Sequence, residues 1–142
     1  MKDIAMELSS KNPYDYLSLK QKYAALNLMS IFGAGATSGT AQEIKKVNHI
    51  ISSEALMMDV SVASFKASHS QFSGMWDMVN ALKGSNRQAL ERLFFAFYCI
   101  VAVGESVEAA NILINVYGKL GFTELECFSI LEKMTGKKLI DL

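Results

Sequence analysis

Proline occurs once in the 142 residues, at Pro13, and cysteine twice, at Cys99 and Cys127. Beyond Pro13 the chain therefore lacks the residue that most strongly breaks helices. Two cysteines standing singly inside apolar patterns make neither a disulfide framework nor a metal motif, and they read as reduced core residues of a cytoplasmic protein. Charge of one sign is missing too: 14 basic residues face 14 acidic ones. Without a basic stripe, counterion release cannot drive nucleic-acid binding. Only two histidines occur, His49 and His69. Neither has the i, i+4 histidine partner or the nearby cysteines of a zinc site.

Long apolar runs are equally scarce. The longest strongly apolar one without charge, residues 93–103, would span about 16 Å as a helix, roughly half of a ~30 Å hydrocarbon core. Glu91, Arg92 and Glu105 close its ends, so no membrane span is expected. Residues 1–8 show no long apolar stretch and no small-residue cleavage site, and they do not read as a signal peptide. Nucleophilic catalysis needs a base beside an activated hydroxyl or thiol. Ser61, Ser85 and Ser106 have a sufficient role as helix caps, so neither enzymatic activity nor a cofactor is expected.

What the chain does have is apolar surface and helical punctuation. Hydrophobic residues make up 51%, and the mean hydropathy of +0.20 is high for a small monomer. One domain over 1–142 is expected, with 1–12 and 137–142 as tails, and self-association or a partner surface follows from the excess. Run 93–103 carries no charge on any helical face and reads as the central, fully surrounded element. The fold class is all-α: a compact bundle of six to seven helices, since no stretch shows strand alternation between hairpin turns.

In order, Pro13 opens a first helix with apolar stripes Leu17, Ala24, Leu28, Ile31 and Tyr16, Leu19, Tyr23, Leu26, which stops at the glycine-rich stretch 33–39. Thr40 and Glu43 have capping-box spacing before an amphipathic helix with Ile44, Val47, Ile51, Ala55 and Met58 on one face. Asp59 or Ser61 caps a short helix through Val62 and Phe65. Another runs from about Gly74 to Leu82 with Trp76, Val79 and Leu82 inward. Ser85 and Gln88 announce the central helix, which Gly104 ends. Ser106 caps a helix with Ala109, Ile112, Leu113, Val116, Tyr117 and Leu120. Thr123 and Glu126 box the last, with Cys127, Ile130, Leu131 and Met134 before Gly136.

The pattern reads as one plan used twice, over 17–69 and again over 86–135: an apolar helix, a glycine-bearing turn, an amphipathic helix, then a shorter one. With residues 24–30 leading into the glycine turn and residues 118–126 near the end, this layout resembles the TerB-like domain. That is a helical module of tellurite-resistance proteins, also similar to the N-terminal part of the DjlA co-chaperone. The resemblance implies a stress-related or envelope-associated role and divalent cations held by acidic turns. Gly35 or Ala36 and Val103 stand where the family's turn aspartates would be, which leaves Glu43, Glu105 and Glu108 as the candidate metal ligands.

Three functions remain on these residues. The first is a non-enzymatic helical interaction module, a homo-oligomer or a subunit with a protein partner, docking through Met57, Met58, Met75 and Met78 if these do not simply fill the core. The second is a cation-binding domain using the three glutamates. The third is a small-ligand or nucleotide site at 33–39, although the strand and lysine of nucleotide loops are missing there.

Overall fold

A computed structural model describes residues 12–136, which form seven α-helices, two 3₁₀ turns and no strands. The tails fall outside the described residues except for Asn12, whose side chain caps the first turn and donates to the Met57 carbonyl at 2.5 Å. Pro13 starts only a 3₁₀ turn, Pro13–Tyr16. The first α-helix, α1 (Leu19–Ala36), begins at Ser18, whose hydroxyl and Gln21 form a reciprocal capping box.

After it come α2 (Ala41–Met57), α3 (Val62–Ala67) with its 3₁₀ extension Ser68–Gln71, and α4 (Met75–Leu82). Then follow α5 (Arg87–Val103), α6 (Val107–Lys119) and α7 (Glu124–Thr135). Helices α1 and α5 pack side by side at the centre. Helix α4 lies on α1, α2 packs against both α1 and α5, and α6 and α7 pack on α5, with α6 also touching α1. The repeated plan survives in element order, long then amphipathic then third, but the third member has 6 residues in one half and 12 in the other.

Aromatic rings fill the seam beneath α5. Phe94 meets Tyr117 edge-on at 4.7 Å, Tyr117 meets Phe122 at 5.2 Å, and Phe32 meets Phe97 at 5.4 Å. Such pairs add about 0.5–1.5 kcal/mol each beyond area burial. The buried Tyr117 hydroxyl donates to the Leu90 carbonyl at 2.5 Å. Asn27, also buried, donates to Tyr23 O, Phe65 O and Ser68 Oγ, tying the 3₁₀ turn to α1.

Several local expectations are corrected. The glycine stretch does not stop α1: Gly33 and Gly35 lie inside it, and a Cβ at Gly33 would come within 2.6 Å of Val47 Cγ1. Gly33 is thus a close-packing position between α1 and α2. The two glycine turns also meet, because a Cβ on Gly104 would collide with the Ala36 carbonyl. Asn86, not Ser85, caps α5, accepting from the Gln88 and Ala89 amides. Trp76 is half exposed, since Met75, Met78, Val79 and Leu82 occupy the i, i+3, i+4, i+7 row toward α1. Tyr16 and Leu19 lie outward, and Ile44, Ile112 and Met134 are more than a third exposed.

Candidate interaction surface

Helix α2 packs against both α1 and α5, and a groove opens along each of its flanks. The flank toward α1 is lined by Ser30, Gly33, Ala34, Ile44, Val47 and Asn48 among others, with about 490 Å³ of free volume. It is open because α1 presents only small residues there. Ile44 consequently finds no large side chain opposite it and stays on the rim. Among the described residues no ionisable side chain lines this groove.

Toward α5 lies a second cleft of about 430 Å³. Ile50 and Val103 contribute apolar lining, and Lys45, Lys46 and His49 border it mainly with the apolar parts of their side chains. It continues a feature of α5 itself. Residues 89, 90, 93, 94, 96, 97, 100 and 101 are the buried face. The remaining face is charged in its first turns, at Glu91 and Arg92, and apolar afterwards: Phe95, Tyr98, Cys99 and Val103 are only partly covered and Ala102 is exposed. The central helix is therefore not fully surrounded as its sequence suggests. Neighbouring helices cover one side of it and leave a strip about 12 Å long, at 1.5 Å per residue from 95 to 103.

At the N-terminal end of this strip sits a buried polar cluster. The Tyr14 hydroxyl donates to Glu54 Oε1, and Arg92 Nη2 donates to Glu54 Oε2 at 2.9 Å. Glu54 is 5% exposed and Tyr14 fully buried. Arg92 also stacks 5.7 Å from the Tyr14 ring and 5.6 Å from Phe95. Burial, reinforced by the Glu54 carboxylate, drives the Tyr14 hydroxyl far above the ordinary phenol range. Burial likewise pushes the Cys99 thiol up, against the lowering effect of Arg92. It raises Cys127 to about 11. Both thiols stay protonated at neutral pH, so neither is an activated nucleophile. The cluster ties the N-terminal turn to α2 and α5.

The residues singled out from sequence fare unequally. Met58 and Met78 are 1% exposed and belong to the core, Met75 is partly buried, and only Met57 reaches the surface. The four do not form a docking patch, because helical spacing turns two of them inward. Glu43 Oε1 accepts from the Ser38 amide at 2.9 Å and the Ser38 hydroxyl at 2.7 Å, which holds its carboxyl below the usual range and closes the α1–α2 turn. Glu105 and Glu108 are exposed. Among the described residues no group of three or more His, Cys, Asp or Glu could hold a metal ion. His49 borders the α5 cleft, and His69 is exposed in the 3₁₀ extension rather than joining an apolar face.

Sequence reasoning missed the strip because a charge-free run reads as core. A signal was present nonetheless: Phe95, Cys99 and Tyr98 stand three, four or seven residues after Glu91 and Arg92, on the face those charges keep toward water. No protein-family model matches the chain, no curated protein is significantly similar to it, and no solved structure matches it significantly.

Proposed function

We propose that this chain is a helical interaction module that acts by contact, with no catalysis of its own, and that its contact surface is the outer strip of α5 with the adjoining cleft. The observation that carries this is the partial exposure of Phe95, Tyr98, Cys99 and Val103 along the charge-free part of the central helix. An apolar face left open on a central element marks a place where another chain completes the burial. The occupant is a protein partner or a second copy. The cytoplasm suits the two free thiols, and a stress-related or envelope-associated assembly is the role that the TerB-like resemblance suggests.

A photo-reactive residue placed at Tyr98 is the direct test. Irradiation in cells should give one defined adduct that disappears when Val103→Gln is added, whereas the same probe at the exposed Asn115 should give none. A Tyr98 probe that yields no adduct, or one indifferent to Val103→Gln, rejects the reading.

A second reading draws on the α1–α2 groove, whose volume suits a small ligand. Its uncharged lining favours a neutral amphiphile over a nucleotide. The cation reading lacks comparable support, because Glu43 already serves Ser38.

A further inference from the structure

We infer that the occupant of the α5 strip is an amphipathic helix with acidic residues along one flank. This rests on the strip being the contact surface and adds the chemistry of what fills it. The strip runs from Phe95 to Val103 and borders the cleft shared with Ile50. An α-helix presents apolar side chains at the same i, i+3, i+4, i+7 spacing, and two to three of its turns cover about 12 Å. Helix-in-groove recognition uses such an apolar track, here deepened into a cleft at its Val103 end beside Ile50.

The ionisable residues lining the cleft are all basic, whereas Glu91 at the far end of the strip is already paired with Arg87 and Lys133. Lys45, Lys46 and His49 border the track on the α2 side, and neither lysine is ion-paired. The basic group nearest its other end, Arg92, is already committed to Glu54 at 2.9 Å. An occupant with glutamate or aspartate along the α2 side therefore meets two unpaired ammonium groups, and one with lysine there meets repulsion. A flat anionic membrane is the poorer match. It needs apolar groups standing proud of the surface with basic groups around them, whereas Ile50 and Val103 line a recess.

The test uses the full chain and a designed helical peptide about 14 residues long, ~21 Å at 1.5 Å per residue. Its leucines lie along one stripe and its glutamates along one flank, and a second peptide carries lysines in place of the glutamates. Fluorescence anisotropy should show the acidic peptide binding at least about tenfold tighter than the basic one, a ratio worth ~1.4 kcal/mol. Lys45→Glu with Lys46→Glu should reverse that order, and rising salt should weaken the acidic peptide's binding. These two side chains are exposed, so the variant keeps its fold, which circular dichroism checks.

Equal binding of both peptides overturns the acidic flank while leaving the strip as contact surface. Binding of neither peptide, combined with concentration-dependent dimers that Val103→Gln dissolves, overturns it in favour of a second copy. Binding only to vesicles of phosphatidylcholine with about a quarter phosphatidylserine overturns it in favour of a lipid surface. A Tyr98 probe that gives no adduct in cells would instead strike the underlying contact reading.

Discussion

Tyr14 lies wholly out of water and donates into the buried carboxylate of Glu54, which Arg92 balances from α5. One Arg92 nitrogen, Nη1, is buried without a partner. The cluster is therefore satisfied on the carboxylate side and strained on the guanidinium side. Removing the cation leaves Glu54 buried and unpaired, so Arg92→Met should destabilise the fold by about 3 kcal/mol. Tyr14→Phe, which deletes one neutral donor, should cost about 1–2 kcal/mol. Urea unfolding measures both. A loss for Arg92→Met no larger than that for Tyr14→Phe would show that the ion pair contributes no more than the phenol. The pairing is not legible in the sequence: Glu54 and Arg92 are 38 residues apart, and although Glu54 shares the face of Val47, Ile51 and Met58, nothing local names its partner.

At the scale of the element, glycines at 33 and 35 read as a helix stop because three occur within seven residues. Helical propensity ranks glycine low, but packing overrides it here. Gly33 lets α2 approach closely through Val47, while nothing lies within 4 Å of a Cβ on Gly35. The same substitution should then have opposite effects two residues apart. Gly33→Ala should destabilise by about 1–3 kcal/mol through overpacking. Gly35→Ala should stabilise by up to about 1 kcal/mol, the helix-interior cost of glycine. Thermal melts of the two variants decide the matter, and a shift of equal sign in both would restore the flexible-connection view. Start signals were more legible than stops. Thr40, Ser61, Ser106 and Thr123 all cap where their spacing places them, since a cap depends on its own next three residues. Ser85 lost its place to Asn86 by one residue, as both offer the same short acceptor.

For the whole molecule, ionisation sets a window of stability. Glu43 is held below its ordinary pKa by Ser38 and Thr40, and Glu126 by Thr123 and Arg87. The unfolded chain binds those protons more strongly, so the contribution is complete above the ordinary value of 4.5 and fades as pH falls below it. Tyr14 and Tyr117 behave oppositely, because burial raises both. The folded chain keeps protons that the unfolded one releases, so their contribution is complete below pH 10.0 and erodes as pH rises above it. Cys99 and Cys127, raised by burial from 9.0, act in the same sense from that pH upward, so the melting temperature should hold a plateau between pH 4.5 and 9.0. Glu43→Gln with Glu126→Gln should flatten the acid side, and Tyr14→Phe should make the alkaline side less steep, the remainder coming from Tyr117, Cys99 and Cys127. A double glutamate variant whose melting temperature still falls below pH 4.5 as steeply as the parent would refute the acid assignment.

By itself the sequence determined the all-α class, the central place of the 93–103 run and most helix starts, because these follow from local spacing, capping and the lack of proline. Tertiary structure alone decided that Met58 and Met78 turn inward while Phe95, Tyr98 and Val103 keep an open side. The reason is geometric. Periodicity says which residues share a face, but how much of that face is covered depends on the thickness and placement of the neighbouring helices. The small residues of α1 and the placement of α2 against α1 and α5 leave a groove on each side.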